Sequence, residues 1–375
     1  MTHVRLRPFA LERWFGKYEF TTKYNIAESC IKPFTVSELE QMCGCDLLHT
    51  AEISNLGYTD SRGTLELREE VAKLYPGRNV ENILITTGAI EANYLVFAAL
   101  VEPGDIVITE FPSYQQLYEV PRALGGEVKL WYLRTENTYR PDIAQLDAMM
   151  SAHRVKMIVI NHPHNPTGAS LDAGSMAAIC EIADQHGAVL LSDEVYKGLT
   201  LMDGIATPSA QLFSDNAVTV GSMSKAFGLS GLRIGWIVGP EDIIEKCWTI
   251  RDYTSICPPA PSQAIALSAL RNIGSVMARN TSLARKNFSL LNQWISDNSD
   301  LVSYIPPSEG VVAFVKYGVD ADSLQVAGKL ANADSVLVVP GACFETEGHF
   351  RVGFGGDSDT LQAGLDLAAK RLQVM

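Results

Sequence analysis

One primary amine stands out by its setting. In the run GSMSKAFGLSGLRIG, Lys225 lies among small residues and hydroxyls, and Arg233 follows eight positions later. Surface lysines usually share helix faces with acidic neighbours, and no acid occurs in this stretch. An amine free in water has a pKa of about 10.4 and is a protonated, poor nucleophile near neutrality. A neighbouring cation and partial burial lower that value, so Lys225 is expected to be acidified. Other chemistry-bearing residues follow short apolar runs. Gly88, Ala89 and Ile90 come after NILITT, and Tyr114 lies in EFPSYQQ. Past KMIVIN comes His162-Pro-His164-Asn165-Pro-Thr-Gly; past AVLLS come Asp193, Glu194 and Tyr196.

Those apolar runs are the elements that must position these groups. Strands are expected at 82–87, 105–109, 127–133, 156–161, 188–193, 217–222 and 233–238. Several are continuously apolar, as strands covered on both faces are. Helical stretches such as GAIEANYLVFAALV and GSMAAICEIADQHG alternate with them, which predicts an α/β domain with a mostly parallel seven-stranded sheet. Beyond residue 240 the pattern changes. Residues 262–297 read as one long helix, followed by strand-like GVVAFVKY, SVLVVPG and HFRVGFG and a last helix. That part predicts a smaller α+β unit. The first forty residues are aromatic-rich without a strand run and read as an arm or helix packed on the smaller unit.

Ligands of open α/β sheets bind beyond the carboxyl ends of the strands. Singly, each feature there has an ordinary reading: a tight turn at Gly88, an Asn-Pro-Thr-Gly turn, a helix cap at Asp193, a solvated charge at Lys225. Together they match one ligand, pyridoxal 5′-phosphate (PLP). Lys225 supplies the amine for a Schiff base, and Asp193 a carboxylate for the ring nitrogen. Asn165 and Tyr196 supply donors to the 3′-oxygen, and Tyr114 an aromatic lid. A helix start at Gly88–Ile90, with Ser222, Ser224 and Arg233, suits a phosphate dianion.

With these motifs in this order, the sequence resembles the fold-type I PLP enzymes of the class I/II aminotransferase superfamily. The match runs through Ser222–Gly235 and includes YTDSRGTLELR, TTGAIEA, FPSY, NPTG, SDEVY and FRVGF with Arg351. The resemblance implies an arm at 1–40, a large PLP-binding domain at 41–270 and a small domain at 271–375. It implies that Lys225 binds the cofactor and moves the α-proton, and that Arg351 grips the substrate α-carboxylate bidentately, which lysine does poorly. It also implies a homodimer in which Tyr58 reaches the phosphate of the neighbouring subunit. The family often has a polar residue after the glycine matched by Gly88; Ala89 and Ile90 offer only backbone N–H groups.

The cofactor does not fix the reaction. A held α-carboxylate suits α-proton removal, and transamination of an L-amino acid is the leading expectation. A narrower resemblance points elsewhere. LERWFGKYEFTTKYNIAESCIKPFTVSEL, NHPHNPTGAS, IRDYTS, EGVVAF and VVPGACF together resemble the capreomycidine synthase subgroup. That resemblance implies loss of water from a hydroxylated arginine and closure of the guanidine onto the resulting alkene. Asn25, Glu28 and Ser29 are then candidate substrate contacts, with Glu28 facing the guanidinium; their alternative is packing of the arm. His162 and His164 are expected to be exposed or to form core hydrogen bonds, the alternative being a substrate-facing role for one of them.

Composition narrows the remaining classes. A net charge of −13 over 375 residues argues against a nucleic-acid surface. A PLP-fold ligand sensor would need an N-terminal DNA-binding module, for which the large domain begins too early. A dinucleotide-binding dehydrogenase is disfavoured because no strand is followed by GxGxxG. The N-terminal run lacks a signal-peptide core, no apolar run spans a membrane, and seven cysteines without a CxxC pair suit reduced thiols. A cytoplasmic protein without a metal site is expected.

Overall fold

The computed structural model describes residues 6–47, 56–202 and 206–375. Residues 1–5 of the N-terminal run considered above lie outside the described residues. A two-residue strand, β1 (Tyr24–Asn25), precedes seven strands that form one sheet. These are β2 (Ile83–Thr86), β3 (Ile106–Phe111), β4 (Glu127–Tyr132), β5 (Val155–Asn161), β6 (Val189–Asp193), β7 (Val218–Ser222) and β8 (Gly235–Val238). Their order is β2-β8-β7-β6-β5-β3-β4, and only β8 runs antiparallel to its neighbours. All seven coincide with the apolar runs of the sequence to within two residues at each end. The reason is burial on both faces. Leu84, Val107, Val159 and Ile237 pack under helices Ala89–Leu100 and Glu241–Arg251. Ile108, Ile158 and Leu190 pack on the other face under helices Ile143–Ala152 and Ala173–Gln185.

The second sheet is antiparallel, in the order β12-β13-β10-β9. Its strands are β9 (Val302–Tyr304), β10 (Val312–Tyr317), β12 (Val339–Pro340) and β13 (His349–Gly353). The remaining strand, β11 (Val336–Leu337), pairs in parallel with β1. The run SVLVVPG, read as one strand, is thus divided between two sheets. Neither β1 nor β9 was legible, since two or three residues carry no periodicity.

The long helix expected over 262–297 is two, Ala260–Arg271 and Ile273–Asp297. Asn272 separates them at φ −113° and ψ 25°, with its amide donating to the Ser268 carbonyl at 2.9 Å. Asparagine competes for backbone groups in this way and favours helix ends. The second helix buries Val276, Ala284, Leu291 and Trp294 along one stripe. On that stripe Asn280 donates to the Ala226 carbonyl at 2.9 Å, tying the helix to the residue after Lys225.

The N-terminal segment crosses both sheets' ends. Helix Ala10–Tyr18 hangs from the Val338 carbonyl through Trp14 Nε1 at 2.8 Å, while Arg7 pairs with Glu119 at 2.5 Å. Among the described residues no helix is long and apolar enough to cross a membrane.

Candidate active site

Because β2, β3, β5, β6 and β7 share one direction, their carboxyl ends open on one side. A cavity of 540 Å³ lies there, with Lys225 in its wall. Register decides what faces it: Asn161 stands opposite Asp193, and Ser222 opposite Gly235. Of the residues singled out from sequence, Ala89, Ile90, Tyr114, Asn165, Asp193 and Tyr196 line this cavity. Ser222, Ser224, Arg233, Glu28 and Ser29 do so as well.

One end of the cavity is a cup. Gly88 caps helix Ala89–Leu100 at φ +83°, in the left-handed region that favours glycine, and a Cβ there would overlap Arg233 Nη2. At Gly235 a Cβ would lie 2.5 Å from Gly88 C and 2.6 Å from Ala89 N. Arg233, itself at φ +54°, donates to Ser224 Oγ at 3.4 Å and to the Ser230 carbonyl at 3.1 Å. Ser224 N–H donates to Ser222 Oγ at 2.9 Å. The cup thus gathers a guanidinium, two hydroxyls and a helix N-terminus in a place closed to side chains. This donor set fits a phosphate.

Asp193 is buried at the centre. Asn93 Nδ2 donates to its Oδ2 at 2.8 Å, and the Val195 N–H to its Oδ1 at 3.2 Å. Burial pushes its pKa up to about 6, against the Asn93 and Val195 hydrogen bonds and the Lys225 charge. A carboxylate so held is suited to a protonated ring nitrogen, whose charge restores its ionised form. Asn93 escaped the sequence reading; its signal was a single amide in the apolar helix EANYLVFAAL.

Lys225 departs from expectation. Burial, the largest influence, pulls its pKa down, as does Arg351, but Cys30, Tyr196 and a hydrogen bond to Cys30 outweigh them, so the net shift is upward. The expected acidification fails because acidic groups crowd the amine. Its Nζ donates to Ser29 Oγ at 2.8 Å and lies 3.6 Å from Cys30 Sγ. Tyr114 stands across the cavity with its hydroxyl donating to Glu12 at 3.2 Å and its ring 4.9 Å from that of Phe9.

Arg351 sits behind the wall in β13 and is fully buried. It donates to Asn165 Oδ1 at 2.9 Å and to the Ala27 carbonyl at 2.8 Å, while its Nε has no partner. No carboxylate lies within ion-pairing distance of it among the described residues. Burial lowers its pKa, though not enough to discharge a guanidinium. Asn25 does not reach the cavity; its amide donates to Glu28 at 3.1 Å and accepts from the Ala27 N–H at 3.1 Å. Tyr58 is 87% exposed and outside the cavity wall of its own chain. His162 and His164 are buried and hydrogen-bonded. His162 faces Glu110 at 2.9 Å and His164 faces Thr167 Oγ1 at 2.7 Å and the Pro112 carbonyl at 2.8 Å.

Comparison with known proteins agrees with this geometry. The family model "Aminotransferase class I and II" matches residues 35–367. The chain is 33% identical to capreomycidine synthase of Streptomyces vinaceus, over 96% of this chain and 93% of that one. A PLP-dependent aminotransferase from Streptococcus suis superposes with a TM-score of 0.94 at 36% identity, covering 99% of this chain and 98% of that one. A PLP-dependent cyclase, OrfR, superposes with a TM-score of 0.88 at 27% identity, covering 99% and 98%. The chain is therefore a PLP-dependent enzyme and belongs to the class I and II aminotransferase family.

Proposed function

We propose that this enzyme holds an L-amino acid by its α-carboxylate at Arg351, moves the Cα proton with Lys225, and transaminates its substrate. The observation that carries this reading is Arg351, a buried guanidinium without a carboxylate partner whose unpaired Nε awaits an acceptor. A buried charge left unpaired is costly, and a carboxylate ligand removes that cost. The cup would hold the phosphate, Asp193 the ring nitrogen, Asn165 and Tyr196 the 3′-oxygen, and Tyr114 one ring face. Bound PLP supplies an electron sink for the pair released when the Cα–H bond breaks. Arg351, through Asn165, fixes where the substrate carboxylate sits and hence where its Cα–H points. Lys225, as a neutral amine, takes the proton; as an ammonium it returns one. The Phe9–Glu12 turn over Tyr114 keeps water from that side.

A second reading rests on a different observation. Glu12, Glu19 and Glu28 line the arm side of the cavity, and none has a cation within ion-pairing distance among the described residues. Burial, then the charges of Glu28 and Glu12, raise the pKa of Glu19. This wall suits a cationic side chain, as in cyclodehydration of a hydroxylated arginine, and the similarity to capreomycidine synthase supports it. Lys225 would then move protons without the amino group leaving the substrate.

The test is an absorbance titration of the PLP-loaded protein with single amino acids, arginine and its hydroxylated forms included, with mass analysis of products. A keto acid plus pyridoxamine phosphate supports transamination. Loss of one water from a hydroxyarginine, with no keto acid, overturns it in favour of the cyclase. Borohydride reduction should fix PLP on Lys225, and Lys225→Ala should abolish that adduct. We further propose a homodimer in which the exposed Tyr58 completes the partner's cup.

A further inference from the structure

Segment 26–33 is built to face the Lys225 amine. Its Ile31 N–H donates to the Lys225 carbonyl at 3.1 Å, its Lys32 N–H to the Gly355 carbonyl at 2.7 Å, and Gly353 N–H donates to the Ile26 carbonyl at 2.9 Å. A Cβ at Gly353 would overlap the Glu28 carbonyl oxygen, and one at Gly355 that of Cys30. Ser29 and Cys30 are thus clamped between the lysine loop and the end of β13, and they supply the acceptors of the lysine Nζ at 2.8 and 3.6 Å. Lys225 itself is half-buried in the cavity wall.

We propose that Ser29, backed by Cys30, is the positioning residue that holds the Lys225 amine whenever it is not bonded to the cofactor. This rests on the reading of Lys225 as the residue that moves the Cα proton. Such a lysine alternates between ammonium and neutral amine in a half-buried wall, where an unsatisfied donor carries a cost. A hydroxyl accepts from the ammonium and donates to the neutral amine, so Ser29 serves both states without moving. The ionisable groups facing the amine are Cys30 on the same segment, Tyr196 after β6 and Arg351 on β13; Asp193 at the end of β6 also feels its charge. None of them combines donor and acceptor at neutral pH as the hydroxyl does, except the weaker thiol of Cys30 and the phenol of Tyr196. Of these, Cys30 Sγ lies farther from the amine than Ser29 Oγ, at 3.6 against 2.8 Å.

The experiment reads Lys225 directly. Cofactor-stripped, full-length protein is labelled with acetic anhydride from pH 6 to 11, and modification of Lys225 is followed by peptide mass. In S29A the labelling midpoint should fall by about one pH unit, because the ammonium loses its acceptor. In the PLP-loaded enzyme kcat should fall about 10-fold or more while KM and PLP affinity stay within about twofold. S29T, which restores the hydroxyl, should recover both readouts, and C30A should shift them less. An S29A labelling profile superposed on wild type, with kcat within about twofold, overturns the proposal. Borohydride mapping separates this failure from that of the underlying reading: PLP fixed on another lysine would remove the premise, whereas PLP on Lys225 with an unchanged S29A profile removes only the role of Ser29.

Discussion

At the scale of single residues, the site depends on charges placed where water cannot reach them. Arg351 is the sharpest case. Hydrogen bonds from ionised groups are worth about 1.5–3 kcal/mol, so Arg351→Ala should raise KM for the amino acid about 10- to 100-fold while PLP content is unchanged. Equal loss of cofactor and substrate binding would instead make Arg351 a structural strut. Arg351→Lys should rescue little, since a single ammonium cannot pair both carboxylate oxygens along a planar fork. His164 shows the same principle in the core. Burial, then the neighbouring His162, push its pKa down to about 3 from an ordinary 6.5. A histidine acidified by folding contributes stability that is full above its unfolded pKa and is lost as pH falls toward the folded value. Each pH unit in that window costs about 1.4 kcal/mol, so near pH 5 this residue withdraws about 2 kcal/mol. A glutamine can still accept from Thr167 and donate to the Pro112 carbonyl. Urea midpoints at pH 7 and pH 5 should therefore converge in His164→Gln relative to wild type, and a gap as wide as wild type's would show the ring is not the titrating group. Residue types were readable from sequence, but the direction of the Lys225 shift was not. It depends on Cys30 and Tyr196 crowding the amine, and Cys30 arrives from 195 positions away.

At the scale of elements, the cup exists because a helix start and a strand start approach closely. The close approach at Gly235 is to backbone atoms of Gly88 and Ala89, which cannot swing aside. Gly231, in the same loop, has nothing within 4 Å of where its Cβ would be. Gly235→Ala should therefore cost about 1–3 kcal/mol in overpacking and weaken PLP binding measurably, with Gly231→Ala close to wild type. Equilibrium dialysis of both variants decides this; similar affinities would mean the cup can widen. The same elements show what the sequence could reveal. Seven strands were legible because both of their faces are covered, which writes continuous apolar runs into the chain. The carboxyl ends of those runs then located Asp193, Asn165 and the lysine loop without a structure. What stayed hidden has local causes. Asn272 divides a helix by one side-chain hydrogen bond, and β1 exists only through its pairing with β11. Asn93 reaches Asp193 across 100 residues of sequence, which no local pattern records.

At the scale of the whole molecule, the site is assembled from three distant parts: the ends of the seven-stranded sheet and the N-terminal segment, which wall the cavity, and β13 of the second sheet, which lies behind that wall. The groups proposed to hold the cofactor and Arg351, proposed to hold the substrate, are thereby carried on different sheets, with Arg351 reaching Asn165 across the boundary. Tyr58 suggests a fourth part. A phenol 87% exposed on the monomer has no evident work there, while the cup of the same chain is walled by other residues. If Tyr58 completes the partner's cup, then chains carrying Tyr58→Ala and chains carrying Lys225→Ala should each be inactive or nearly so, yet complement when mixed. In the mixed dimer, the Tyr58→Ala chain keeps its own Lys225 and receives Tyr58 from the other chain, so one site is whole. The remaining site lacks both residues. Co-refolding the two variants should then restore activity in proportion to the mixed dimer, whose share is read by differently sized tags on a sizing column. If Tyr58 acted within its own chain, each site of the mixed dimer would lack one residue and no activity would return. Recovery requires both a dimer and a crossing tyrosine, so its absence with mixed dimers present would reject the crossing, and a monomer on the column would reject the dimer.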